Sequence, residues 1–183
     1  MPAMLPSIKN LISDISMKVR NSCYNINMKE LKWISSVTSD YLRNNDFDLE
    51  CEVDNLGNSL LHKLVQLKDA KPLELIISKI TNVNKQNNIG ETPLHIACRI
   101  SNLAAAKILL SYFADVNCQD IEGNTPLMNV VSRKISDCQF ITFLLERKAD
   151  LSLENNNHEK AWDIGTSCRL KSKVLKLLNP YYM

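Results

Sequence analysis

Pairs of large apolar residues recur at a fixed spacing along the middle of the chain. Ile76-Ile77 and Leu109-Leu110 are 33 residues apart, and Leu144-Leu145 follows the second pair after 35. Each pair lies in a segment that is apolar enough to pack on two sides, which an isolated helix pair could not provide. The pattern therefore predicts short helices stacked in a repeating array.

A glycine-containing motif recurs with the same period. It reads Gly90-Glu91-Thr92-Pro93-Leu94-His95, Gly123-Asn124-Thr125-Pro126-Leu127-Met128 and, upstream, Gly57-Asn58-Ser59-Leu60-Leu61-His62. Glycine suits a tight turn with positive φ, and a threonine cap followed by proline suits the start of a helix. Since Leu94 and Leu127 keep the 33-residue spacing, the two extra residues of the last repeat are expected in a lengthened turn at 132–137.

These motifs resemble the ankyrin repeat, whose pattern runs roughly D-x-x-G-x-T-P-L-H-x-A, two antiparallel helices and then G-A-D-V-N. The last element is matched by Ala114-Asp115-Val116-Asn117 and again by Ala149-Asp150-Leu151-Ser152. The resemblance covers about residues 46–178 and implies an all-α fold, a solenoid of stacked antiparallel helix pairs with short hairpin loops. The expected organisation is an N-terminal helical cap at 1–45, three repeats at about 50–82, 83–115 and 116–150 within 46–153, and a C-terminal capping repeat and tail at 154–183.

One position departs from the family pattern. The glycine that usually precedes Ala-Asp at the end of the second helix is replaced by Ile80, Phe113 and Lys148. If these residues keep the left-handed conformation, each is strained by its Cβ.

Composition and charge bound the partners and the compartment. The chain is 45% hydrophobic and 23% charged, as globular proteins are, and its net charge of +2 gives no strong field toward nucleic acid or a membrane. We therefore expect neither as a partner. Lys9 and Asp14 interrupt the apolar core that a signal peptide needs, and the six cysteines form no C-x-x-C pair. These features favour reduced thiols and a cytoplasmic, and also nuclear, location.

Histidines and cysteines raise the question of chemistry. His62 and His95 occupy the Leu-His position, where the resemblance implies that the imidazole ties adjacent hairpins together; a metal ligand or general base is the alternative. Cys51 and Cys118 are expected to be incidental loop thiols, with a redox role as the alternative. Because the chain contains no catalytic or phosphate-binding motif, we expect no enzyme activity, no cofactor and no metal site.

The resemblance implies that protein partners contact the hairpin tips and the inner helices. The expected tip contacts are Glu52, Asn55, Leu56, Lys85, Asn88, Ile89, Gln119, Ile121 and Glu122, and the expected inner-helix contacts are Lys63, Gln66, Arg99 and Arg133. Leu56, Ile89 and Ile121 could form the apolar centre of an interface. Lys63, Lys68, Arg99, Arg133 and Lys134 form either a solvated face or a surface for an acidic partner.

The sequence thus favours a non-catalytic binding module, monomeric when free, whose partner it does not identify. With caps expected at both ends, an adaptor or inhibitor that masks a partner surface is the first hypothesis. The richness in Asn, Ile and Lys suggests a virus or intracellular pathogen, and by analogy a host-targeting protein of NF-κB-inhibitor type. The alternatives are an assembly subunit or chaperone docked on a larger complex, and an enzyme or redox protein that uses Cys51 or Cys118.

Overall fold

The computed structural model describes residues 55–133, 138–168 and 172–179. The predicted N-terminal cap at 1–45 lies outside these residues, as do Cys51, Glu52 and Lys134. Their predicted roles therefore stay predictions.

The secondary structure of the described residues is helical, which confirms the predicted all-α class. These residues contain eight α-helices: α1 Leu60–Leu64, α2 Lys71–Ile77, α3 Pro93–Arg99, α4 Leu103–Ser111, α5 Pro126–Val131, α6 Cys138–Glu146, α7 Ala161–Ser167 and α8 Ser172–Leu178. The connection from α5 to α6 runs from 132 to 137, whereas that from α3 to α4 runs from 100 to 102. The inserted residues of the third repeat thus lie between its two helices, as predicted.

The helices stack in two rows. The odd-numbered helices form an inner row, in which α3 contacts α1 and α5, and α5 contacts α7. Each inner helix also contacts the outer helix that follows it, and α2 contacts α4 as α6 contacts α8. Ile76, Leu109 and Leu144, which carry the sequence period, are fully buried between the rows. Burial of each such side chain contributes roughly 1.5–3 kcal/mol, so the period marks the core.

Threonine and proline set the starts of two inner helices. The hydroxyl oxygen of Thr92 accepts a hydrogen bond from His95 N, and that of Thr125 accepts one from Met128 N, at 3.4 Å in both cases. Pro93 and Pro126 follow at the first helical position. Both caps agree with the sequence prediction, and each satisfies a backbone N–H that has no partner inside its helix.

The left-handed positions differ in one respect from the prediction. Phe113 and Lys148 have φ values of 63° and 70°, as expected, but Ile80 does not have a positive φ. Ala114 N donates to Leu109 O at 3.1 Å, closing the wide turn that needs a left-handed residue before it. After α2, Ile80 N instead donates to Ile77 O at 3.1 Å, a tighter turn of ordinary right-handed backbone.

Candidate functional site

The hairpin that precedes each inner helix is bonded to its neighbour at the tip. The backbone hydrogen bonds are Asn88 N to Leu56 O at 2.9 Å, Ile121 N to Ile89 O at 3.2 Å and Asn156 N to Glu122 O at 2.9 Å. At Gly90, where φ is +73°, a Cβ would lie 2.6 Å from Ile121 N. Glycine is therefore required there by the close approach of the next hairpin as well as by its own backbone angle.

Histidine side chains tie the same hairpins together beneath the tips. Nε2 of His62 lies 3.0 Å from Glu91 O, and Nε2 of His95 lies 3.0 Å from Asn124 O. Because Nδ1 of His95 accepts from Thr92 N at 3.1 Å, Nε2 carries the proton and donates. Burial lowers the pKa of His95, against the hydrogen bond to Asn124 that raises it. A buried neutral imidazole with both nitrogens occupied fits the structural role that the resemblance implies.

A pair of glutamines makes further bridges that the sequence analysis missed. Gln119, predicted as a partner contact, donates from Nε2 to Gly123 O at 2.7 Å and to Glu154 O at 2.8 Å in the next hairpin. Gln86 makes the equivalent bonds to Gly90 O and Gln119 O, both at 2.9 Å. The signal was present, because the two glutamines are 33 residues apart. The carboxamide of Gln119 therefore stabilises the stack, whatever else it contacts.

Three apolar side chains project from successive tips. Leu56, Ile89 and Ile121 are 56%, 43% and 62% exposed. We call these three residues the tip ridge. Their backbones are joined by the tip hydrogen bonds, so the apolar side chains are held on a connected framework and not on independent loops.

The polar residues predicted at the tips lie around this ridge. Asn55 and Asn88 are exposed, and Nδ2 of Asn88 donates to Asn55 O at 3.3 Å. Glu122 is exposed and accepts from Nδ2 of Asn124 at 3.1 Å, while Lys85 is half-buried. Hydrogen bonds thus join the tips that carry Asn55, Leu56 and Asn88, and those that carry Ile89 and Ile121.

The predicted basic inner face is less charged than its sequence suggests. Arg99 pairs with the buried carboxylate of Glu91, with Nε 2.9 Å from Oε1. Arg133 donates from Nη1 to Arg99 O, and Gln66 donates from Nε2 to His62 O at 2.9 Å. Lys63 is half-buried on α1. The charge of Arg99 is therefore largely compensated within the array, which the sequence could not show because Glu91 reads as an ordinary surface residue.

Two of the described cysteines, Cys98 and Cys118, have raised thiol pKa values. Burial raises the pKa of the Cys98 thiol, and burial followed by the nearby Asp115 carboxylate raises that of Cys118. Both effects disfavour the nucleophilic thiolate. Among the described residues, no group of three or more His, Cys, Asp or Glu side chains could hold a metal ion. The part of the chain that the structure describes also contains no helix long and apolar enough to span a bilayer.

Two exposed aromatic residues were missed as surface features. Phe113 is 90% exposed and Tyr112 is 41% exposed, both directly after α4. The sequence analysis noted Phe113 only as a replacement for glycine. The helical period of α4 ends at Ser111, so the pattern carries no information about where these two rings point.

Stacked helix pairs with bonded hairpins define a helical repeat protein. The chain belongs to the ankyrin-repeat family: the model for ankyrin repeats (3 copies) matches residues 37–120 and, in an overlapping match, residues 61–155, which together exceed half of the chain. A search of curated proteins found no match. Ankyrin repeats are generally protein–protein interaction modules and are typically non-catalytic, so the family implies a protein partner.

Proposed function

We propose that this array binds a partner protein through the tip ridge and masks part of the partner's surface, acting as an adaptor or inhibitor. The observation that carries the proposal is the exposure of Leu56, Ile89 and Ile121 on tips joined by backbone hydrogen bonds. Three aligned apolar side chains can form the dry centre of an interface. Their rigid support reduces the entropy lost on binding.

Polar groups beside the ridge would set the orientation of the partner. Asn55, Asn88 and Glu122 are exposed next to it and offer amide and carboxylate groups for hydrogen bonds. Lys63 on α1 and Arg133 just after α5 belong to the inner row, and with Lys85 in the hairpin before α3 they favour a partner with acidic groups. Arg99 contributes less, because Glu91 compensates its charge.

Two finer versions of the function follow from the sequence. The first is a host-targeting inhibitor of NF-κB type that acts in the cytoplasm or nucleus, proposed by analogy from the Asn-, Ile- and Lys-rich composition. An assembly subunit or chaperone docked on a larger complex would use the same ridge. Native mass distinguishes them, since the first predicts a free monomer and the second a permanent complex.

The test replaces the ridge and leaves the core alone. The triple variant Leu56→Ser, Ile89→Ser, Ile121→Ser should keep its circular dichroism spectrum and lose the partners that cross-linking and affinity purification recover with the wild type. Ile100→Ser is the matched control, because Ile100 is 37% exposed, close to the 43% of Ile89, and belongs to neither the tip ridge nor the outer corner. Equal recovery of specific partners by the triple variant and the wild type would refute binding through the ridge.

A further inference from the structure

Phe113 combines two unfavourable features that the fold does not require. Its ring is 90% exposed and its backbone has a φ of 63°. Glycine would relieve the backbone strain and remove the exposed ring at once. The helix-ending hydrogen bond from Ala114 N to Leu109 O involves only backbone atoms, so it needs no phenyl ring. A contact with another molecule would therefore account for the exposed phenyl ring.

The stack places Phe113 in a row with cationic side chains. Lys79 lies two residues after α2, Tyr112 and Phe113 directly after α4, and Arg147 and Lys148 directly after α6. Hydrogen bonds join the segments that follow these helices: Asp115 N donates to Asn84 Oδ1 at 2.8 Å, and Asn117 Nδ2 donates to Lys148 O at 3.1 Å. We call Lys79, Tyr112, Phe113, Arg147 and Lys148 the outer corner.

Within the part of the chain that the structure describes, no ion pair compensates the charges of the outer corner. In the described ranges, no carboxylate lies within ion-pair distance of Lys79, Arg147 or Lys148. The guanidinium of Arg147 lies 5.0 Å from the ring centroid of Phe143.

The nearby carboxylates either accept hydrogen bonds from their own loops or form no ion pair with the cations of the outer corner. Asp115 Oδ1 accepts from Asn117 N at 2.8 Å, and Asp150 Oδ1 accepts from the backbone and hydroxyl of Ser152 at 2.7 and 2.6 Å. Both carboxylates therefore bind groups two residues further along their own loops. Glu146, the last residue of α6, is exposed and forms no ion pair with Arg147, which follows it in the chain.

We propose that the outer corner is a second docking site, for an acidic segment of a protein partner that carries an apolar side chain between its carboxylates. The apolar side chain packs on Phe113 and Tyr112, and the flanking carboxylates pair with Lys79 on one side and with Arg147 and Lys148 on the other. A linear row of cation, aromatic pair and cation along the stack fits an extended peptide better than a flat lipid surface. The outer corner is separate from the tip ridge, because residues 114–120 lie between Phe113 and Ile121 in the chain.

A random-peptide display library selected on the full chain tests the proposal. We expect enriched sequences with acidic residues on both sides of a large apolar residue. Affinity for a synthesised member should fall about tenfold or more in Phe113→Gly and in the double variant Arg147→Glu, Lys148→Glu. It should weaken with salt, and it should be unchanged in the triple serine variant of the tip ridge.

Stability measurements distinguish a loss of peptide binding from a folding defect. Phe113→Gly should unfold at a higher urea concentration than the wild type, so its loss of binding cannot come from unfolding. The proposal is overturned if the enriched peptides lack acidic residues, if their binding survives both outer-corner variants, or if nothing is enriched. Vesicles of phosphatidylserine that bind through Phe113, with no binding of acidic peptides, would overturn it in favour of a membrane.

Discussion

The guanidinium of Arg99 donates two hydrogen bonds to the carboxylate of Glu91, from Nε to Oε1 at 2.9 Å and from Nη2 to Oε2 at 3.2 Å. The Glu91 side chain is 8% exposed and that of Arg99 is 53% exposed. The pair joins the hairpin before α3 to the end of α3. Since Glu91 O also accepts from His62, this one residue connects two repeats.

Removing one partner of this pair should be worse than removing both. Arg99→Met leaves a buried carboxylate without its cation, and we expect a loss of about 2–3 kcal/mol in the free energy of unfolding. Adding Glu91→Gln should recover much of that loss. Urea denaturation of the two single variants and the double variant measures the coupling, and additive losses would show that the two side chains act independently.

Stability should fall as the pH drops below about 6.5, in part because of His95. Burial holds the pKa of His95 below its ordinary value of 6.5 in the folded state. The unfolded chain therefore binds more protons between the folded pKa and 6.5, so stability is present above 6.5 and is lost as pH falls through that window. One histidine contributes at most about 1.4 kcal/mol per pH unit.

The measurement for His95 is a difference between two proteins. Urea midpoints of the wild type and His95→Gln are compared at about pH 7.5 and about pH 5.5. The variant should be less stable at the higher pH and should lose less on acidification. An identical pH dependence in both proteins would exclude His95 as the source.

Glycine should stabilise the array at two of the three helix ends. Phe113→Gly and Lys148→Gly each remove a Cβ from a left-handed residue, and both side chains are exposed, so we expect a gain of roughly 1 kcal/mol apiece. Ile80→Gly is the matched control. Ile80 packs partly against the core without a positive φ, so its replacement should destabilise. A gain at Ile80, or losses at the other two, would contradict the assignment of strain.

Alanine at Gly90 should damage the tip framework more than alanine at Gly57. At Gly90 the added Cβ meets the backbone of Ile121 at 2.6 Å, whereas at Gly57 the nearest atom is Oδ1 of Asn88, the end of a side chain that can move. We expect Gly90→Ala to cost about 2 kcal/mol or more. Faster hydrogen exchange of the Ile121 amide would locate the damage. Equal losses of stability in Gly90→Ala and Gly57→Ala would show that the positive φ, and not the contact with Ile121, causes the damage.

Gln119→Ala should weaken the end of the array that holds α7 and α8. It deletes hydrogen bonds to Gly123 O and Glu154 O, for an expected loss of about 1–2 kcal/mol. Glu122→Ala, at an exposed tip nearby, should change stability by less than about 0.5 kcal/mol. Thermal denaturation compares them, and an unchanged midpoint for Gln119→Ala would show that these two hydrogen bonds do not stabilise the array.

Much of the fold could be predicted because the same local motifs recur in successive repeats. The 33-residue spacing of Leu94 and Leu127 fixed the register, and Thr92 with Pro93 marked a helix start that the structure confirms. The same local rules failed at Ile80, where the ending of α2 depends on which carbonyl the turn reaches. The tip contacts remain predictions, although the structure shows that the ridge residues are exposed.

By itself, the sequence determined the period, the all-α class, the helix caps at Thr92 and Thr125 and the Leu-His positions, because each depends on residues close together in the chain or equivalent between repeats. The tertiary structure decided what those residues meet. Glu91 compensates Arg99 across the length of α3, Gln119 is drawn into the stack, and Phe113 is left in water beside cations of other repeats. Such pairings depend on packing between hairpins and helices, where a few ångströms decide whether a side chain is a partner, a support or a free surface.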